Sequence, residues 1–290
     1  KQRVVKIACD LVGECIEKYP QVVGFELGGS YAKGTWVPEK PVDNVDIDIF
    51  VKFNKKTSEK DFRNIGTKIG FESLKKYKPY TRHAEHPFVE AIIDGTRVNV
   101  VPCYDVNKGE WKSATDRSIY HTKFMLQKLS NSMKGDVRIL KKFLQHIEVY
   151  GAEIAKEGFS GYVTEALIFY FGSFEKTIKK ISELKKGQVI GKSTKKFDSF
   201  VVIIDPIDNN RNLGTAISIE NLGKFVLASR AFLRTPSKNF FKKPISKRIM
   251  RNTDKIIVVQ FKVKERSDDI VWGQIKRASN ALKTQLELGG

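Results

Sequence analysis

The sequence predicts an α+β chain in three consecutive parts: a mixed head over residues 1–130, a helical stretch over 131–235, and a small α+β piece over 236–290. Three observations predict it. Helical and strand periodicities alternate up to about Lys128. Apolar residues at three- and four-residue spacing dominate from about Gly135. One further strand pattern and one further helix pattern follow Pro236.

Taken in order, residues 3–18 place Val4, Ala8, Leu11, Val12 and Cys15 on one helical face, and the pattern ends at Tyr19-Pro20. "VGFELGGSYAKGTW" reads as a strand, a glycine turn and a helix start. "VDIDIFVKF" alternates strictly, as a half-buried strand does. Residues 58–76 are helical. Residues 88–93 and 97–103 form a hairpin around Asp94-Gly95. In its second strand Asn99 stands among Val98, Val100 and Val101. Amides are depleted from strands, and side chains alternate, so Asn99 faces away from its valine neighbours. "DVRILKKFLQHI", "GYVTEALIFYFGSFEKTIKKI" and "IENLGKFVLASRAFLR" carry helical spacing. "FVVIIDPIDNNRNLG" interrupts them with a buried strand, then a Pro-Asp-Asn turn with Arg211 beside it. "DKIIVVQFKV" is a strand and "IVWGQIKRASNALKTQLEL" a helix. No repeat or low-complexity tract occurs.

The 290 residues are 41% hydrophobic, enough for a buried core and more than one module. No apolar run approaches a membrane span. Cys9, Cys15 and Cys103 form no CxxC pair and meet no His cluster, which argues against structural zinc and a disulfide framework and for the cytoplasm. The chain opens on Lys1 without a signal peptide, so it is expected to begin inside its natural sequence or to have been trimmed. Its last module is expected to be cut short at Gly289-Gly290. Net charge is +19, and it is uneven: residues 171–290 hold 25 Lys and Arg against 11 Asp and Glu. Such an excess suits a polyanion, because each neutralised phosphate releases counterions.

Asp46 and Asp48, two apart on a strand, send both carboxylates to the same face. Like charges so placed favour a cation between them. Sixteen residues before Asp46, Ser30 sits in "GGSYAKGTW", where Gly28 and Gly29 permit close backbone approach to an anion, Ser30 can donate and Lys33 adds charge. This is not a P-loop, because Thr35 stands where that motif needs Lys. It is not a kinase loop, because no H-R-D or D-F-G follows. The acids suit Mg²⁺ and the Gly-Ser loop suits the triphosphate that the metal also binds.

A Gly-Ser pair followed at an interval by [DE]-h-[DE]-h, with h apolar, resembles the polymerase-β-like nucleotidyltransferases in a loosely spaced form. The chain is closer still to the archaeal, class I CCA-adding enzymes. "GSYAKGTW", "DIDIFVKF", "RHAEHPFVEAII", "VNVVPCY", "ATDRSIYHTKF", "VRILKKFL", "YGAE", "GFSGYVTEALI", "IDPIDNNRN" and "SKNFFKKP" carry the likeness, in order, over nearly the whole length. The resemblance implies a polymerase-β-like palm or head, a helical neck, and part of an α+β body that binds RNA, without the family's tail domain. It implies template-free addition of C, C and A to the tRNA 3′ end from CTP and ATP. Two Mg²⁺ ions and the tRNA acceptor stem would be its partners. Oligomeric state is left open, a dimer included.

By the same matching, Asp46 and Asp48 are metal ligands, and Asn99 stands where the family's V-D-V-V-P-C-Y carries a third Asp. Gly29, Ser30 and Lys33 meet the triphosphate, with Arg more usual at Lys33. His121 contacts the nucleotide, Lys141 a phosphate (Lys142 being its solvated neighbour), and Tyr150 the sugar or triphosphate. Arg211 reads the incoming base with RNA phosphates, since a guanidinium fork offers donors to the acceptor edges of C and A. Asp205 and Asp208 are expected to shape the turn. Two other readings are weighed. One is a poly(A)-polymerase-like or oligoadenylate-synthetase-like transferase. The other is a non-catalytic RNA-binding relative that has lost its third acid.

Overall fold

The computed structural model describes residues 1–38, 45–82, 87–242 and 267–288. Its first part is a mixed five-stranded sheet backed by helices. The elements run α1 (Gln2–Ile16), β1 (Val22–Gly28), α2 (Gly29–Lys33), β2 (Asp46–Asn54), α3 (Glu59–Ser73), β3 (Tyr80–Arg82), β4 (Phe88–Ile93), β5 (Thr96–Asp105) and α4 (Asp116–Lys128). The strand order is β1-β2-β5-β4-β3. Only the central β2–β5 pair is parallel.

Alternation in β2 decides what each face does. Ile47, Ile49, Val51 and Phe53 are buried on one face and join Val98 and Val100 of β5. Helices α1 and α3 cover that face with Val4, Ala8, Val12, Cys15, Phe62 and Ile69. Truncating a fully buried Phe such as Phe53 or Phe62 to Ala costs about 3–5 kcal/mol. Helix α3 lies so close to the sheet that a Cβ on Gly70 would come within 2.4 Å of Val89 Cβ. The other face has a smaller apolar cover, where Phe50, Val101 and Cys103 meet Ile119 of α4. That cover leaves Asp48 and Asn99 facing a cleft.

The second part is built from α5 (Asn131–His146), α6 (Gly161–Phe171), α7 (Phe174–Ser182) and α8 (Ile219–Arg234), with a three-stranded sheet, β6 (Gln188–Ile190), β7 (Val201–Asp205) and β8 (Asp208–Asn212). The single helical run expected over "GYVTEALIFYFGSFEKTIKKI" is two helices, because Gly172 takes φ 89° and ends α6. Serines start four of these helices: Ser130, Ser160, Ser173 and Ser218 each accept the backbone N–H three residues on. Each such cap is worth about 1 kcal/mol. Phe143 sits centrally in a separate core, among the rings of Phe174, Phe225, Phe232, Phe240 and Phe241.

One expectation is corrected here. "DNNRN" is not a turn but strand β8; the turn is Pro206-Ile207 between Asp205 and Asp208. Proline fixes the first turn position, which frees the asparagines for pairing. Asn212 then accepts from Ile203 N and Gly214 N.

The strand expected at "DKIIVVQFKV" lies outside the described residues. The closing helix is α9 (Asp268–Leu288). It has no buried residue and meets the second part through Lys276 on Glu157 at 2.8 Å.

Candidate functional site

The parallel register of β2 and β5 builds the floor of the cleft. Asp46 pairs with Arg97 and Asp48 with Asn99, and β1 brings Gly28 beside Asp48. Asn99 Nδ2 donates to Asp48 Oδ1 at 2.8 Å. Arg97 Nε lies 2.7 Å from Asp46 Oδ1. Asn99 is buried and its Oδ1 has no hydrogen-bond partner among the described residues. Burial pushes the Asp48 carboxyl up, the Asn99 bond pulls it back, and Asp46 adds to the rise. Gly29 takes φ 71°, and a Cβ there would lie 1.8 Å from Asp48 Oδ2, so this turn accepts no side chain.

Among the described residues no three His, Cys, Asp or Glu side chains gather as a metal cluster. The donors present are two carboxylates and one amide oxygen left unbonded. An all-oxygen set with one orphan acceptor fits a hard divalent ion such as Mg²⁺. Asn99 contributes an oxygen to this set but no charge.

Above the floor, the candidate triphosphate side chains converge on a buried carboxylate that the sequence reading missed. Lys33 Nζ lies 2.6 Å from Glu165 Oε2, Thr35 Oγ1 donates to Glu165 Oε1 at 2.5 Å, and Lys141 Nζ lies 3.8 Å from Glu165 Oε1. Lys141 also donates to Thr35 O at 3.0 Å. Burial opposes the charge on Glu165, but Lys33 and Lys141 outweigh it and its carboxyl is held low. Burial brings Lys141 down to about 8, against the pull of Glu165. Tyr150 is close by: a Cβ on Gly161 would meet Tyr150 Oη at 3.1 Å and Lys141 Nζ at 3.6 Å. Ser30 opens α2 beside Gly29.

A second buried carboxylate, Asp205, gathers the rest. His121 Nε2 donates to Asp205 Oδ2 at 2.9 Å, and Arg211 Nη1 donates to the same oxygen at 2.9 Å. Tyr162 Oη donates to Oδ1 at 2.9 Å. The His121 and Tyr162 rings stack at 3.7 Å. Burial pulls His121 down despite Asp205. Asp205 does turn the chain, accepting from Ile207 N at 3.1 Å, but it also binds three side chains.

Two contiguous cavities result. One of about 380 Å³ is lined by Gly29, Lys33, Asp48, Asn99, His121 and Tyr162. The other, about 880 Å³, adds Arg211 and Asp208 and shares His121 and Tyr162. Of the ten expected residues, Gly29, Lys33, Asp48, Asn99 and His121 line the smaller cavity and Arg211 the wider one, whereas Asp46, Ser30, Lys141 and Tyr150 line neither. The sequence reading missed Glu165, Tyr162, Arg97 and Glu90, the last buried directly across from Asn99. A lone Glu inside "GYVTEALIFYF" was a usable signal; Tyr162 had none.

The nucleotidyltransferase domain family matches residues 8–121, and the family described as tRNA nucleotidyltransferase, second domain, matches residues 135–242. The CCA-adding enzyme of Sulfurisphaera tokodaii is 38% identical over 91% of this chain and 64% of its own length. Those of Pyrobaculum islandicum and Saccharolobus shibatae are 37% and 33% identical, over 97% and 98% of this chain and 66% and 69% of theirs. The chain thus spans slightly under two thirds of the first two relatives. Solved structures share the fold. The Cid1 poly(U) polymerase bound to MgATP superposes with a TM-score of 0.63 at 12% identity, covering 84% of this chain and 94% of that one. The mtPAP complex with ATPγS gives 0.61 at 13%, covering 82% and 66%.

Proposed function

The chain belongs to the CCA-adding enzyme family, and from that premise we propose that it is a tRNA nucleotidyltransferase whose chemistry is slowed by Asn99. The substrates are CTP, ATP and the 3′ end of tRNA, and the site of action is the cytoplasm. The observation that carries the reading is the in-register pair Asp48–Asn99, with the Asn99 Oδ1 orphaned in the floor of a cleft that Lys33 also lines.

Asp46, Asp48 and the Asn99 carbonyl would hold two Mg²⁺ ions, which supply Lewis-acid charge to the triphosphate and activate the primer 3′-hydroxyl. Ser30, Lys33, Lys141 and Tyr150 bind and orient the triphosphate, with His121 at the nucleotide. Glu165 cancels one of the two buried ammonium charges, so the pair remains net positive toward a polyanion. Arg211 faces the wider cavity, where the base would lie, and offers guanidinium donors to C and A. No protein nucleophile is needed, since the 3′-hydroxyl attacks the α-phosphorus in line and pyrophosphate leaves. The basic residues of 171–290 track the acceptor stem by shape and backbone.

The experiment uses tRNA lacking its CCA end with labelled CTP and ATP, in the protein and in Asn99→Asp. The expected result is near-normal binding of CTP, ATP and RNA by the protein, with C, C and A incorporated rapidly only after the reversion. Fast turnover without reversion would remove position 99 from the activating metal. The Arg97–Asp46 pair favours one other reading, a binding-only relative in which an internal cation replaces the metal. That reading gains if Asn99→Asp binds nucleotide yet adds none.

A further inference from the structure

Asp205 is wholly buried at the end of β7, and it holds four donors from three elements. Tyr162 of α6 and Ile207 N occupy Oδ1; His121 of α4 and Arg211 of β8 occupy Oδ2. Each oxygen is thereby used twice, and Oδ2 joins His121, which lines both cavities, with Arg211, which lines the wider one. Arg211 is about 42% exposed as a side chain, so its contact with Asp205 is what restrains an otherwise solvated guanidinium. With Nη1 committed to Asp205, the other guanidinium donors are left for a ligand. We propose that Asp205 is a positioning residue for nucleotide choice: it aims Arg211 at the base and holds His121 against Tyr162, without touching the nucleotide itself. The inference rests on the reading above in which Arg211 meets the base.

Substitution by Asn separates this role from simple packing. The amide has the same shape and keeps an oxygen for Tyr162 and Ile207 N. Its NH₂ then takes the place of Oδ2. His121 can meet that group by moving its proton to Nδ1 and accepting through Nε2, whereas a guanidinium has no acceptor and loses its anchor.

The test measures CTP, UTP and tripolyphosphate binding by the protein with acceptor-stem RNA lacking its terminal nucleotides, using Asn99 to hold turnover down. Asp205→Asn should lose at least tenfold in CTP-over-UTP preference while tripolyphosphate affinity changes less than threefold. Arg211→Ala should lose the same preference, and the double variant no more than either single one. Retained preference in Asp205→Asn, or additive losses in the double variant, overturns the inference alone. Equal CTP and UTP binding by the unsubstituted protein overturns base reading at Arg211 and this inference with it. If Asp205→Asn does not fold, nitrogen-15 NMR of the Arg211 guanidinium in the unsubstituted protein decides. Slow rotation about Nε–Cζ supports an anchored fork, and rotation as fast as that of surface arginines overturns it.

Discussion

The floor of the cleft and the neck above it treat buried charge in opposite ways. In the neck, Glu165 and Asp205 are surrounded by the chain's own cations and donors, and both carboxyls are held low despite burial. On the floor, burial pushes the Asp48 carboxyl up with Asp46 adding to the rise, and the neutral Asn99 amide that donates to it only partly offsets this. Asn99 meanwhile keeps an unbonded oxygen. A buried polar group left unsatisfied costs about 1–3 kcal/mol, more when charged. The buried carboxylates of the neck are thus matched by the chain's own donors, while on the floor Arg97 reaches only Asp46 and the Asn99 oxygen stays unbonded.

The largest expected effect tests the floor. Asn99→Asp restores a third charge and should raise nucleotide incorporation by about a thousandfold, or about 4 kcal/mol at ~1.4 kcal/mol per tenfold. Single-turnover rates with CCA-less tRNA measure it, and an unchanged rate would break the comparison on the side of the floor.

The neck is tested by Glu165→Leu, which strands two buried ammonium groups. Breaking a buried pair in this way should destabilise the fold by about 3–5 kcal/mol in urea titrations. Lys33→Met in the same chain should recover part of that loss. A loss under 1 kcal/mol would mean that the lysines reach solvent or a substitute anion.

Proton linkage sharpens the same point. Folded Lys141 gives up its proton near pH 8, whereas an unfolded lysine does so near 10.5. Between those values the unfolded chain holds more protons, so stability contributed by this group rises with pH and is lost as pH falls back through 8. Relative to Lys141→Met, the protein should gain on the order of 3 kcal/mol from pH 8 to 10.5. Parallel stability curves for the two proteins would show that Lys141 is not desolvated as its burial requires. Triphosphate affinity should also weaken above pH 8.

The smallest effect concerns Arg97, about 40% exposed and paired with an equally exposed Asp46. Surface pairs are worth about 0–1 kcal/mol. Arg97→Ala should then tighten Mn²⁺ binding by at most about fivefold, read by calorimetry without nucleotide. No tightening would show that the guanidinium does not compete for Asp46.

Residues within one strand were legible beforehand. Alternation in "DIDIFVKF" announced that Asp46 and Asp48 share a face, and the adjacent Val98 and Val100 announced that Asn99 points to the face opposite theirs. Helical periodicity located α1, α3 and α9 closely, since a 3.6-residue pattern needs no partner to be read. The turn at "DNNRN" was misplaced because Asn favours turns locally, and only pairing with β7 shows that it completes a strand.

What the sequence determined alone was the local geometry of this protein: which side chains leave a given face of a strand or helix, and where glycines permit a tight turn. Tertiary structure decided the pairings. Glu165 lies 132 residues from Lys33, and Asp205 lies 84 from His121. Separations that long leave no periodicity to read. Whether a buried carboxylate meets a cation or stands alone depends on how head and neck pack, because the cost of its charge is set by everything that excludes water around it.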